Sequence, residues 1–174
     1  MKVNPFAFAI FCLCLAAMDQ TSLPDTLSEL LCFNIYTLHR SFGRYYQAAF
    51  SETGLTYPKF VILMALERDG PMSVSDLSNR AGVEANTLSP LLKKMASFGT
   101  ITRERAEADE RRVVVTIAPF GQEVLTRARA VIAEGFAELQ IDAAKMSEAL
   151  TFLNIVRGKV EDADPPKLNL DGLG

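Results

Sequence analysis

The sequence predicts a mainly α-helical chain with one small β-hairpin. Apolar residues recur at spacings of three and four over most of the chain, the signature of helices with one buried face. The period changes to two only once, over residues 100–117. The resulting order is long helix, helix, short helix, turn, amphipathic helix, two-stranded hairpin and two further helices. That is the order of a winged helix-turn-helix between terminal helices.

Composition sets the bounds. The 174 residues are about one domain's worth. With 49% apolar and 22% charged residues, the chain has material for a core and is not a disordered polymer. The formal charge of -3 gives no bulk signal for nucleic acid, so any such signal must be local. Three cysteines, an odd number, argue against a disulfide framework. One histidine among scattered cysteines leaves no zinc-ligand spacing, so no metal site is expected. Glycine-rich phosphate loops and HExxH are also absent.

Phe6 to Ala17 is an unbroken run of 12 apolar residues, shorter than the roughly 20 that span a bilayer. It reads as a weak signal-like segment, as a helix packed on the body or on a partner chain, or as a misplaced start ahead of Met18. Residues 1–17 are therefore set apart from a domain over 18–160 and an acidic, flexible tail over 161–174.

Ser22-Leu-Pro-Asp25 reads as a helix start, with proline in the first turn. Leu27, Leu31, Ile35, Leu38, Phe42, Tyr45, Tyr46 and Ala49 then form one stripe on a helix of about six or seven turns. A helix this long in a small domain suits an oligomer contact. Thr53-Gly54 ends it, and Tyr57-Pro58 opens a second helix with Phe60, Leu63, Met64 and Leu66 inward. Asp69-Gly70-Pro71 stops that one. Val74 to Ala81 is a short helix, capped by Ser73 or Ser75 and ended by Gly82.

Asn86 to Phe98 follows, with Leu88, Leu91, Leu92, Met95 and Phe98 on one face and Pro90 in the first turn. Thr100–Ala106 and Arg111–Ile117 are the strands, joined by the charged tip Glu107–Glu110. Pro119-Phe-Gly121 breaks the pattern before helices over Gln122–Leu139 and Lys145–Val160.

Helix 86–98 is the natural recognition helix. Its outer face offers Asn86, Thr87, Ser89, Pro90, Lys93 and Lys94, with short polar groups near the N-terminus for base edges and lysines for phosphates. The hairpin adds Arg103, Arg105, Arg111 and Arg112, suited to a minor groove or its flanking phosphates. From Ser73 to Arg112 there are 7 basic and 6 acidic residues, against 11 and 15 elsewhere. The signal is one of position rather than of net charge.

A helix-turn-helix followed by a wing with Asp109-Glu-Arg-Arg112 at its tip resembles the MarR family of dimeric bacterial repressors. LLCFNIY (Leu30–Tyr36), GLTYPKF (Gly54–Phe60), TLSPLLKKM (Thr87–Met95) and RERAEADERRVVVTI (Arg103–Ile117) resemble its OhrR branch, the organic-hydroperoxide sensors. The resemblance covers Leu27 to Gly121 by sequence and the last two helices by pattern. It implies that peroxide oxidises Cys32, whose sulfur is hydrogen-bonded by Tyr36 on the same helix and by Tyr46 and Tyr57 of the partner subunit. It further implies an obligate-type dimer with the terminal helices forming the interface. The implied partners are double-stranded DNA with a pseudo-palindromic operator, an organic hydroperoxide and a low-molecular-weight thiol. A cytoplasmic repressor released by oxidation is expected, not an enzyme, with no cofactor and no membrane.

Cys32 and Tyr36 are four apart and share a helix face. On a helix starting near Ser22, Cys32 would lie about two turns in, beyond the reach of the helix dipole, leaving the phenols to hold a thiolate. His39 is expected at the surface. The C-terminal half has no cysteine, so the one-cysteine variety fits unless Cys12 or Cys14 serves as a second thiol. Glu84-Ala85-Asn86-Thr87 stands where the branch typically has Asp-Ser-Gly-Thr, which implies a different operator preference. Three alternatives stay open. One is a MarR-type regulator of a small phenolic or lipophilic ligand with Cys32 structural; another is a thiol peroxidase, which would need a recycling thiol; the third is a winged helix used only for protein contacts.

Overall fold

A computed structural model describes residues 25–106 and 109–168. Residues 1–24, which include the apolar extension over 1–17, Cys12, Cys14 and the Ser22-Leu-Pro24 part of the expected helix start, lie outside the described residues, as do the hairpin tip at 107–108 and residues 169–174. In chain order the elements are α1 (Leu31–Ala49), α2 (Tyr57–Asp69), β1 (Met72–Ser73), α3 (Val74–Ala81), α4 (Ala85–Ser97), β2 (Ile101–Ala106), β3 (Asp109–Ile117), α5 (Pro119–Glu138) and α6 (Ala143–Glu161). They fall into two compact units, residues 1–61 and 62–174, with the boundary inside α2.

In the first unit the long helix starts later than its apolar stripe suggests. Leu27–Glu29 is a 3-10 turn, and Leu30 is extended at φ -75° and ψ 117°. The Asn34 side-chain amide donates to the carbonyls of Ser28 and Leu30, both at 2.8 Å. The Thr26 and Ser28 hydroxyls bond each other at 3.1 Å. Short polar side chains here offer the backbone a local alternative to helix, and the helix yields. Cys32 is thus the second residue of α1, in its first turn rather than two turns in.

No residue of α1 is buried. Leu31, Ile35 and Leu38 of the expected stripe are exposed. Its far end joins an aromatic cluster, in which the Tyr46 ring lies 6.5 Å from Phe42, 5.9 Å from Tyr45 and 5.6 Å from Phe50. Phe50 and Phe60, 5.5 Å apart, are buried.

The second unit holds the main core, built from Ile62, Leu63, Leu66, Leu77, Leu88, Leu92, Met95, Ile101, Val115 and Leu125. On α2 the inward stripe runs through Ile62, Leu63 and Leu66. Met64 lies well round the helix from that stripe and is exposed, contrary to expectation. The sheet has three strands in the order β1-β3-β2. The two-residue β1, too short to leave a periodic signal, pairs Met72 with Val115 and Ser73 with Val114. Ser73 then caps α3: its hydroxyl accepts from the Asp76 N–H at 3.2 Å and donates to the Asp76 carboxylate at 2.6 Å.

Helix α5 begins at Pro119, in its N-terminal turn, and not after Gly121. Gly121 is a contact point instead of a breaker. A Cβ there would lie 2.0 Å from the Thr100 carbonyl oxygen, which also accepts from the Ala118 N–H at 3.0 Å. Helix α6 is capped by Asp142, which accepts from the Ala144 and Lys145 N–H groups at 2.9 and 3.0 Å, and it buries no residue.

Gly121→Ala should therefore cost about 1–3 kcal/mol, because backbone rather than a pliable side chain must move. Urea denaturation reads this as a lower midpoint. An unchanged midpoint would contradict the close approach.

Candidate nucleic-acid interface and thiol site

The turn before α4 is held from both sides. Gly82 adopts the left-handed conformation at φ 63°, which a glycine accepts without a Cβ clash. The Val83 N–H donates to the Ser78 carbonyl at 3.2 Å, and the Ser78 hydroxyl donates to the Val83 carbonyl at 2.6 Å. The Glu84 carbonyl starts α4, accepting from Thr87 and Leu88 at 2.9 and 2.8 Å.

Leu88, Leu92 and Met95, spaced four and three apart, are buried. The other side of the helix is consequently solvent-facing. Asn86, Thr87, Ser89, Pro90, Lys93 and Lys94 are all exposed on it. Two expectations on this helix change. Pro90 is its sixth residue, in the second turn, so the Asn86 carbonyl has no N–H donor from that position. Phe98 is 65% exposed, because it caps the helix just before Gly99 turns the chain at φ 74°.

The wing presents its arginines unequally. Strands β2 and β3 pair Ile101 with Ile117, Arg103 with Val115 and Arg105 with Val113. Directly opposed residues share a sheet face, so Arg103 lies on the side of buried Val115. It is half-buried, and among the described residues its Nε has no hydrogen-bond partner. Arg105 is exposed. Ala106 pairs with Asp109, so Glu110, Arg111 and Arg112 form an unpaired irregularity in β3.

Two ion pairs brace this unit, and neither was read from the sequence. The Arg80 guanidinium on α3 donates through Nε and Nη2 to both carboxylate oxygens of Asp69 at the end of α2, the second bond at 3.1 Å. That hydrogen bond, and then the Asp69 charge, push the Arg80 pKa up. Arg129 on α5 pairs with Glu67 on α2. These partners are far apart in sequence and lie on different helices, so no spacing rule signals them.

In the first unit, Cys32 is free and exposed, and His39 is exposed as expected. Tyr36, one turn along the same face, is 55% exposed. Its hydroxyl accepts from Arg40 Nη1 at 3.4 Å. The Tyr46 and Tyr57 rings lie 4.5 Å apart. Tyr46 is 14 positions beyond Cys32 on one helix, a rise of about 21 Å. One chain therefore forms two pairs, Cys32 with Tyr36 on one face and Tyr46 with Tyr57 in contact, and does not bring all four together. Among the described residues no cluster of His, Cys, Asp and Glu could hold a metal, and no helix is long and apolar enough to cross a membrane.

Burial pushes the Tyr46 phenol up from its ordinary value of 10.0, aided by the neighbouring Tyr57 and Tyr45. A raised folded pKa means that the unfolded chain ionises first. Stability linked to Tyr46 is thus complete below pH 10 and lost as pH rises through the folded value. Denaturation midpoints measured from pH 8 to 11.5 should fall less steeply in Tyr46→Phe than in the unsubstituted protein; equal slopes would contradict this.

Comparison with known proteins follows the same outline. Residues 55–113 match the sequence model of the MarR family. The chain is 39% identical over 90 residues to the HTH-type transcriptional regulator MgrA of Staphylococcus aureus, covering 51% of this chain and 61% of that one. It is 33% identical over 109 residues to the HTH-type transcriptional regulator TtmR of Methylorubrum extorquens, covering 62% of this chain and 56% of that one. The matches thus span less than two thirds of either relative. Among solved structures, the transcriptional regulator BldR of Sulfolobus solfataricus superposes with a TM-score of 0.68 at 28% identity, over 74% of this chain and 93% of that one. Residues 55–113, which hold the helix-turn-helix and most of the wing, thus match the MarR family, and the chain has a winged-helix fold.

Proposed function

We propose that this chain is a dimeric, DNA-binding transcriptional repressor of the MarR type that releases its operator when an organic hydroperoxide oxidises Cys32. The observation that carries the DNA-binding part is the exposed polar face of α4 set opposite its buried stripe. Asn86, Thr87 and Ser89 lie where a recognition helix meets base edges, and Lys93 and Lys94 where it meets phosphates. Arg105, with Arg111 and Arg112 in the irregular part of β3, would add wing contacts. Half-buried Arg103 would add less. The relatives named as transcriptional regulators support the same reading.

Dimerisation is supported by the terminal helices. Neither α1 nor α6 buries a residue, and Leu31, Leu38, Leu150, Leu153 and Ile155 are exposed. Apolar faces of this extent suit a second copy. A two-fold dimer would set two α4 helices against the half-sites of a pseudo-palindromic duplex. It would also allow Tyr46 and Tyr57 of one copy to serve Cys32 of the other.

The redox step balances with two reactants. The Cys32 thiolate attacks the terminal peroxide oxygen, forming S–O as O–O breaks, and leaves a sulfenic acid and an alcohol once the alkoxide gains a proton. A low-molecular-weight thiol then displaces water to give a mixed disulfide. The added bulk would change the packing between copies and hence the spacing of their α4 helices. One thiol consumed per event is sensing rather than turnover, and a cytoplasmic location goes with it. A second reading, a small phenolic ligand taken by the Tyr46 and Tyr57 cluster, draws on the 4.5 Å ring contact there.

Reduced protein should bind a duplex from its own upstream region with an affinity that falls steeply with salt. Lys93→Ala and Lys94→Ala should each reduce the log–log salt slope by about 1. Cumene hydroperoxide with a small thiol should abolish binding, and Cys32→Ser should bind but not respond. Binding indifferent to peroxide would favour the ligand reading, and no duplex binding at low salt would contradict both.

A further inference from the structure

The structure adds a residue to the thiol site. We infer that Arg40 is a positioning residue for the oxidation of Cys32, acting through the Tyr36 hydroxyl; this rests on the thiol-sensing reading above.

Cys32, Tyr36 and Arg40 are spaced by four and make one file along α1. The Arg40 guanidinium carbon lies 5.7 Å from the centre of the Tyr36 ring, and Nη1 donates to the phenol oxygen at 3.4 Å. Cation and hydrogen bond thus meet on one phenol. Helix α1 contains no acidic residue, so Arg40 has no carboxylate on its own helix to draw it away. The other charged or titratable groups nearby in sequence are Glu29 before the helix, His39, and Arg44, which donates to the Ser41 hydroxyl at 3.1 Å.

A phenol has one proton to give and lone pairs to accept with. Arg40 occupies an accepting position, which leaves the Tyr36 O–H for an acceptor elsewhere. A hydrogen bond received from a cation strengthens the one the phenol donates. One turn back along the file, the acceptor is the peroxide being reduced at Cys32. As the thiolate sulfur bonds to the terminal oxygen, the O–O pair leaves on the alkoxide. Tyr36 gives its proton to that alkoxide, releasing the alcohol. Its phenolate is held beside the Arg40 guanidinium until water returns the proton. Sulfur is oxidised to the sulfenic acid and the peroxide is reduced. Lysine would keep the charge but not the planar, forked set of donors.

The test is the rate of Cys32 oxidation in the full-length reduced chain by cumene hydroperoxide, followed by quenching and peptide mass mapping, which separates Cys32 from Cys12 and Cys14. Arg40→Met should be slowed about tenfold, the rate equivalent of one charge-assisted hydrogen bond. Arg40→Lys should recover only part of that loss. In a Tyr36→Phe background, Arg40→Met should cause no further loss, since its effect passes through the phenol. Oxidation of Arg40→Met at the unsubstituted rate would overturn the role, as would an equal loss in the Tyr36→Phe background. Inertness of the unsubstituted Cys32 would overturn this role and the thiol-sensing reading together.

Discussion

The burial of Leu88, Leu92 and Met95 is the constraint on which the candidate interface depends. Helix α4 packs against α3 and β2, and those three side chains leave water almost completely. Each such burial contributes about 1.5–3 kcal/mol, so rotating the helix about its axis would sacrifice most of its anchoring. The orientation of Asn86, Thr87, Ser89, Lys93 and Lys94 follows from that burial and needs no polar contact of its own. The left-handed Gly82 and the Ser78–Val83 bonds fix where the helix starts. The Asp69–Arg80 and Glu67–Arg129 pairs tie α3 and α5 to α2.

The terminal helices present the reverse situation. Their apolar residues are as numerous as those of a core helix, yet none is buried within one chain. The thiol site is divided in the same way. Cys32 and Tyr36 stand at one end of α1, and Tyr46 with Tyr57 about 21 Å along it. In the proposed dimeric sensor, both the site and the apolar faces would be completed between copies.

Much of the fold was legible because strong local signals agreed with tertiary packing. The Leu88-x-x-x-Leu92-x-x-Met95 spacing, the Ser73 cap, the Gly82 terminator and the change of period at residue 100 each survive in the structure. The misses have physical causes. An apolar stripe overextends helix α1 because it says nothing about the Asn34 amide, which takes the Ser28 carbonyl just before the helix. Gly121 read as a breaker because its reason, the Thr100 carbonyl, is remote in sequence. Strand β1 is two residues long, below the length at which alternation can show. Arg103 reads as equivalent to Arg105 because spacing alone does not tell that it stands opposite buried Val115. Of the candidate thiol site, sequence spacing gave the pairing of Cys32 with Tyr36. It does not show that the Arg40 guanidinium meets the Tyr36 hydroxyl and ring.

The most direct measurement follows one sample through both events. Cumene hydroperoxide and a small thiol are added to a preformed complex of reduced protein and a duplex from its own upstream region. Anisotropy reports release, while mass spectrometry of quenched aliquots reports modification of Cys32. The account predicts that release and Cys32 modification share one time course at one equivalent of peroxide. Complete modification of Cys32 with the duplex still bound, or release while Cys32 remains a thiol, would contradict it.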